Sequence, residues 1–163
     1  MTEKEFNQCV TDHADGVFRF ILKNLRHVED ARDIVQSAFE KMWVNHATVD
    51  GTRGKSFLFT VAYHQMIDHI RKKKMVIVNE EMAVERTTDA RSGQETRKIL
   101  EKALYRLNET QRSLVMLKDY EGYSYEEIGE ITGLNPSQVK VYLHRARQQL
   151  KSFLGSPENI LES

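Results

Sequence analysis

Apolar residues recur at helical spacing along most of this 163-residue chain. Phe6, Val10, Ala14, Val17, Phe18, Ile21, Leu22 and Leu25 share one face of a 3.6-residue repeat, which predicts a first helix. Ala31, Ile34, Val35, Ala38, Phe39, Met42 and Trp43 predict a second. Phe57, Leu58, Val61, Ala62, Met66 and Ile70 predict a third, from about Ser56 to Lys73. The polar stretch Asn45–Lys55, with two glycines, reads as the loop between the second and third. No segment alternates with period two for long enough to make a strand. The four apolar residues Met75–Val78 read as a short extended piece.

The pattern changes after that piece. Residues 79–93 have no periodic apolar face and read as a mobile linker. Helical spacing resumes after Ser92-x-x-Glu95, a capping-box pattern, with Ile99, Leu100, Ala103, Leu104 and Leu107. Asn108 with Gln111 marks another start, leading to Leu114, Val115 and Leu117. Ser124-x-x-Glu127 opens a short helix with Ile128 and Ile131, stopped by Gly133. Asn135-Pro136-x-Gln138 opens the last helix, with Asn at the cap and Pro in the first turn. The expected fold is all-α: two small helical domains, residues 1–74 and 94–154, joined by a flexible linker at 75–93 and followed by a tail at 155–163.

Composition narrows the function classes. Lys plus Arg and Asp plus Glu are 24 each, so the formal net charge is zero, which excludes an overall polycation. One cysteine, Cys9, excludes a disulfide framework and Cys-rich zinc modules, and on the first helix it reads as a small buried residue. No apolar run approaches a membrane span, and the N-terminus does not resemble a signal peptide. These features describe a soluble protein of a reducing compartment, without metal or cofactor.

Charge is nevertheless sorted into patches. From Ser124 to Leu150 a short helix, a turn containing Gly133 and a longer helix make a helix-turn-helix. At about 100° per residue, Val139, Tyr142, Leu143, Ala146 and Leu150 fall on the packing side of the last helix. Ser137, Val141, His144 and Gln148 fall opposite, flanked by Gln138 and Arg145 on one edge and Lys140, Arg147 and Lys151 on the other. Pro136–Leu154 holds four Lys/Arg and no acid, whereas Asp119–Glu130 holds five acids and no base. A basic helix of this kind suits a DNA groove, because phosphate neutralisation supplies much of the affinity; the same charges also suit a solvated helical face.

A second basic surface lies in the first half. Gly51–Lys74 holds six Lys/Arg against one acid, Asp68, and four of the six form Arg71-Lys72-Lys73-Lys74. Thr60, His64, Asp68 and Arg71 form a polar stripe, with Phe59 and Tyr63 expected near its edge, a mixture that suits single-stranded DNA. On the second helix Glu29, Asp30, Asp33, Gln36 and Glu40 make an acidic and amide face suited to a basic protein partner.

Asp33-Ile-Val-Gln36-x-Ala-Phe-x-Lys-Met-Trp43, Phe57-Leu-Phe-x-Val-Ala62 and Ile67-Asp68-x-Ile-Arg71 resemble domain two of bacterial sigma factors. Glu127-Ile-Gly-Glu-Ile-x-Gly133, Val139-Lys140 and His144-Arg145-Ala146-Arg147 resemble their domain four. The order of these motifs over residues 6–154 resembles the extracytoplasmic-function (ECF) group of the sigma-70 family. The chain departs from the family's usual residues at Ser37, Phe57 and His64, and around Gln138, Val141 and Tyr142.

The resemblance implies a cytoplasmic transcription initiation factor that is not an enzyme. It implies core RNA polymerase as partner, through the β′ clamp helices and the β flap, together with promoter DNA and an anti-sigma factor, and no direct membrane insertion. Asp33, Gln36, Phe39 and Lys41 match the part that docks on polymerase. The loop His46–Lys55 matches the segment that captures a base flipped from the minus-ten element. Arg53, Lys55, His64, Arg71 and Lys72 are the implied minus-ten contacts. Ser137, Gln138, Val141 and His144 are the implied base-edge readers of the minus-thirty-five element, and Lys140, Arg145 and Arg147 the implied phosphate contacts.

Three other readings fit parts of the pattern. A stand-alone helix-turn-helix regulator would bind duplex DNA unaided. A sigma antagonist would use similar helices without needing two basic surfaces. A nucleic-acid enzyme would rest on His64, Asp68 and His69, of which the i, i+4 pair His64/Asp68 is suited to share a metal, but His69 lies about 100° away from Asp68 and no further ligand cluster is evident.

Overall fold

The computed structural model describes residues 1–80 and 95–155. Seven α-helices account for most of them: α1 Glu3–Leu25, α2 Val28–Val44, α3 Gly54–Glu80, α4 Glu95–Arg106, α5 Glu109–Val115, α6 Tyr125–Thr132 and α7 Pro136–Leu154. A single 3-10 turn, Gly51–Arg53, leads into α3, and α5 continues into a π turn at Met116–Tyr120. Among the described residues there is no strand.

The helix starts follow the side chains that satisfy the first free N–H groups. Asn108, Ser124 and Asn135 each accept from the residue three positions on, and Gln111, Glu127 and Gln138 reciprocate. Thr2 and Glu5 make the same box at α1. His27 caps α2, its Nδ1 accepting from the Asp30 N–H at 3.2 Å. Two of the stops use the left-handed region: Gly133 ends α6 at φ 85°, and Arg26 ends α1 at φ 59°.

The third helix is longer than the apolar spacing predicts. It begins at Gly54 and runs through Met75–Val78, the expected extended piece, to Glu80. Neither Pro nor Gly interrupts residues 55–80, and extending a formed helix over β-branched residues costs only a few tenths of a kcal/mol each. Residues 81–93 of the expected linker, the Ser92 cap and the tail from 156 onward lie outside the described residues.

Helices α1, α2 and α3 pack around Val17, Phe20, Ile21, Ile34, Met42, Leu58 and Met66. Helices α4 to α7 enclose Leu104, Leu114, Leu117, Ile128, Ile131, Val139 and Leu143. The two bodies touch. Helix α3 lies along α6, α1 reaches α5, and one apolar cluster runs through both. Phe59 of α3 sits at the seam, 5.6 Å from the Phe20 ring and 5.3 Å from that of Tyr123. Phe59 and Tyr63 are therefore buried, at 1% and 5% exposure, and do not border the polar stripe as free aromatics. Desolvation of large apolar rings outweighs their use on a wet surface.

Candidate functional site

The helix-turn-helix is set by its turn. Gly133 to Asn135 separate α6 from α7, and the backbone passes so close that a Cβ on Gly129 would lie 2.6 Å from the Leu134 carbonyl oxygen. Val139, Leu143 and Ala146 are buried against the second body, and Tyr142 and Leu150 are half-buried. The opposite face of α7 is open. Ser137, Lys140, Val141, His144, Arg145 and Arg147 are exposed, and Gln138 is half-buried as partner of the Asn135 cap. All seven expected residues thus lie on one helix, but not in one state. Arg147 donates to both Asp119 carboxylate oxygens, which ties it to its own body. His144 is hydrogen-bonded to Gln148 at 3.3 Å, and Lys140 lies 5.9 Å from the Tyr125 ring.

On the first body the expected cations follow the loop and α3. Asp50 holds the loop, accepting from the Thr52 N–H and hydroxyl at 3.0 Å each; these bonds and nearby Arg53 keep its carboxyl below the usual range. The loop residues Thr48, Val49, Asp50 and Arg53, with Ser56, Phe57 and Thr60 of α3, line a shallow cavity of about 500 Å³. Glu130 from α6 completes its wall. Arg53 Nη2 donates to Glu130 Oε2 at 2.8 Å, and the Lys55 ammonium lies 4.5 Å from the centre of the Tyr123 ring. Arg71 lies 3.8 Å from Glu109, Lys72 pairs with Asp68 at 3.5 Å, and His64 Nδ1 meets the Thr60 carbonyl at 2.8 Å. His69 Nε2 meets Asp30 at 3.0 Å, so His64, Asp68 and His69 have three separate partners rather than one shared ligand.

The acidic face of α2 is narrower than expected. Asp30 turns inward to His69 and Lys73 of α3, leaving Glu29, Asp33, Gln36 and Glu40 outside. Asp33 and Gln36 are exposed and Phe39 is half-buried. Lys41 is exposed on the far side, about 160° around the helix from Phe39. Ser37 also turns inward, its hydroxyl accepting from Gln65 Nε2 at 3.0 Å.

Beside Gln36 and Phe39 lies an apolar shelf that the motif reading missed as a unit. Phe6 of α1 stands 5.0 Å from the Trp43 ring and 6.5 Å from Phe39, and Trp43 stacks on His46 at 4.1 Å. Trp43 and Val44 are 41% and 78% exposed, unusual for such residues beside a formed core. Periodicity assigned Trp43 to the core; only an excess of apolar positions at 42–44, too many for one face, signals that some must stay outside.

Comparison with known proteins gives these surfaces a context. The family model described as Sigma-70 region 2 matches residues 9–75, and that of Sigma-70, region 4 matches residues 97–150. The chain is similar to RNA polymerase sigma factor SigV of Bacillus subtilis, 29% identical over 144 residues that span 88% of this chain and 87% of SigV. It is similar to ECF RNA polymerase sigma factor SigW of the same organism, 29% identical over 165 residues, 91% of this chain and 88% of SigW. Among solved structures, the sigma factor RpoE in complex with the anti-sigma factor NepR from Bartonella quintana superposes with a TM-score of 0.78 at 25% identity, covering 93% of this chain and 98% of RpoE. CnrH in complex with the cytosolic domain of CnrY shares the fold, with a TM-score of 0.72 at 21% identity over 94% of this chain and 90% of CnrH.

Proposed function

This chain belongs to the sigma-70 family, in its extracytoplasmic-function group, and from that premise we propose how its surfaces divide the work of starting transcription. It is an RNA polymerase sigma factor: it binds core polymerase and promoter DNA and directs initiation. The observation that carries this is the match of both sigma-70 regions, in order, to the two helical bodies. A stand-alone helix-turn-helix regulator would leave the first body without a counterpart.

We assign polymerase docking to the outer face of α2, with Asp33 and Gln36 as polar contacts and Phe39 as the apolar one, on the β′ clamp helices. The adjoining Phe6–Trp43 shelf supplies apolar area next to that polar pair. Lys41, on the far side, would meet a different part of the partner; the β flap is assigned to the second body. We assign the cavity under the loop to the flipped minus-ten base, with Arg53, Lys55, His64, Arg71 and Lys72 along the opened strand. Ser137, Gln138, Val141 and His144 read minus-thirty-five base edges, while Lys140, Arg145 and Arg147 hold phosphates. Arg147 must exchange Asp119 for a phosphate to do so.

An anti-sigma factor is a further partner, as NepR is in the RpoE complex. We place the protein in the cytoplasm, where polymerase works; among the described residues no helix is long and apolar enough to cross a membrane. We assign it no catalytic reaction of its own.

Reconstitution tests the reading. Purified protein, core RNA polymerase and genomic fragments should yield discrete run-off transcripts that need both proteins and disappear with Asp33→Ala plus Gln36→Ala. A protein that footprints duplex DNA alone and never redirects core polymerase would refute it.

A further inference from the structure

We propose that the cleft between α1 and α4 is a binding site for a small amphipathic anion, a single hydrocarbon chain carrying a carboxylate or phosphate head. None of the residues assigned above to polymerase or DNA lines it. Helix α1 packs on α2 and α3, and α4 packs on α7, so α1 and α4 face each other without closing. The space between them is about 700 Å³, within the range of small-molecule pockets.

The cleft is apolar below and cationic above. Leu104 and Met116 are buried at its base, and Phe18, Leu22 and Leu100 are half-buried beside them. Tyr105 and Tyr120 stand at the mouth, each 41% exposed. The cations gather on these rings. The Arg26 guanidinium lies 4.3 Å from the centre of the Tyr105 ring and the Lys23 ammonium 5.5 Å from that of Tyr120, while Arg97 joins the lining from α4. Among the described residues none of these three takes part in an ion pair. Arg19, the fourth cation of the lining, is held by Glu121, and Glu101 is the one acid that lines the cleft. Three unpaired cations thus face a single carboxylate. Arg26 also stands at φ 59°, in the left-handed position where a helix ordinarily ends on glycine. An arginine there strains the backbone, and what it adds is a guanidinium at the mouth of the cleft.

This lining selects among ligands. A neutral hydrocarbon would leave the cations unused, and an inorganic anion would leave the apolar base wet. The lining runs from Phe18 to Arg26 on α1 and from Arg97 to Tyr105 on α4, about 12 Å at 1.5 Å per residue. That is two helical turns, short for a partner helix, because helices below about 12 residues are marginal by themselves. An extended hydrocarbon chain of medium length fits it better. The ligand touches α1 of the first body and α4 of the second, so its binding also raises the stability of the folded chain.

The test is a calorimetric titration of the full chain at low salt with decanoate and, separately, with decyl phosphate. Decylammonium and 1-decanol supply the same tail with the opposite charge and with none. An anion should bind at one molecule per chain with a Kd on the order of 100 µM and raise the melting temperature. Binding of both anions or of one supports the site, and the comparison of heads tells a carboxylate ligand from a phosphate one. Decylammonium should not bind, and 1-decanol should bind about tenfold more weakly. Arg26→Gln plus Arg97→Gln, at two exposed positions, should weaken anion binding about tenfold. Lys102→Gln plus Lys151→Gln, equal in charge change and outside the lining, should leave it as it was. Circular dichroism checks the helix content. Should the first pair lose helix, Lys23→Gln alone carries the test, with about threefold weakening expected. No saturable binding of either anion, equal binding of decylammonium or 1-decanol, or equal weakening by both variant pairs overturns the proposal. So does binding of an acidic amphipathic helical peptide in the same titration when neither anion binds, which would make the cleft a protein-docking face.

Discussion

Asn24 on α1 and Arg112 on α5 join the two helical bodies through a buried hydrogen bond, Arg112 Nε donating to Asn24 Oδ1 at 3.0 Å. Both residues are almost fully buried, at 1% and 6% exposure. The guanidinium also donates from Nη1 to the Leu107 carbonyl at 3.0 Å and lies 4.6 Å from the Tyr105 ring centre. Among the described residues no carboxylate reaches it, and burial pulls its pKa below the ordinary arginine value. Asn24→Leu removes the acceptor and leaves a buried donor unpaired. The expected loss is about 1–3 kcal/mol, with a melting temperature lower by roughly 2–4 °C per kcal/mol. Arg112→Met added to Asn24→Leu should recover part of it, since a buried polar pair replaced by apolar groups is often near neutral. An unchanged melting temperature in Asn24→Leu would contradict the role given to this bond.

Gly129 should tolerate no side chain. Alanine there forces α6 and the Leu134 backbone apart, because its Cβ would sit 2.6 Å from a carbonyl oxygen that cannot swing away. A loss of about 1–3 kcal/mol is expected in urea unfolding, as for other overpacked sites. Gly133→Ala meets open space and suffers only its positive φ of 85°, about 1–2 kcal/mol. A cost for Gly129→Ala clearly below about 1 kcal/mol would show that the turn is looser than described.

Acid should loosen the contact between α3 and the start of α5. Burial pushes the Glu109 carboxyl up, but the hydrogen bond from Lys74, a backbone N–H and nearby Arg71 outweigh it and hold the pKa below the ordinary 4.5. A carboxylate whose pKa is lowered by folding stabilises the fold fully above its unfolded value, and that contribution disappears as pH falls through the folded value. Thermal melts of the natural protein and Glu109→Gln should therefore differ by a constant amount above about pH 5.5 and converge below pH 4.5. Curves that stay parallel as the pH falls on below 4.5 would show that Glu109 makes no such contribution.

Tyr123 carries a hydroxyl that is buried without a hydrogen-bond partner among the described residues, and burial raises its pKa well above the tyrosine range. Tyr123→Phe keeps the ring against Phe59 and removes the unpaired group. Stability should stay equal or rise by up to about 1 kcal/mol. A clear loss in a denaturant titration would reveal a partner for the hydroxyl.

The two classes of α7 contact should separate by salt and sequence. Gln138→Ala is expected to cost about 1–3 kcal/mol of discrimination at one base position, and also to weaken the Asn135 cap. Lys140→Ala should weaken binding to all promoters alike and lower the salt slope by about one. Holoenzyme filter binding on matched and single-base-altered promoters distinguishes the two; identical profiles would remove Gln138 from the readers.

Much of this architecture is legible before any coordinates. Asn108, Ser124 and Asn135 announce their helices because a cap is a local hydrogen bond between near neighbours, and the sides of α7 follow from angle alone. What stays hidden is non-local. Periodicity puts Trp43 on an apolar stripe and Phe59 and Tyr63 at the edge of a polar one, but shows the neighbour of none: Phe59 meets Tyr123, 64 positions away by number, while Trp43 stays half outside. Asp30 reads as an outward acid because nothing in α2 shows that His69 and Lys73 of α3 face it. The charges of Asp119–Glu130 were visible as a block; that Glu121 and Glu130 cross to Arg19 and Arg53 depends on the packing of α6 on α3.

The open face of α7 has a consequence for how such a protein diverges. Ser137, Val141, His144 and Arg145 pack on nothing in the first body, and changes at surface positions of this sort shift stability by only about ±0.5 kcal/mol. A lineage can therefore rewrite which promoters this helix selects, one residue at a time, without passing through unfolded intermediates. Phe59, Tyr123 and Glu130 have no such freedom, because each is part of the joint between the two bodies. Copies of the gene should drift apart first along the outer side of α7 and last along the seam.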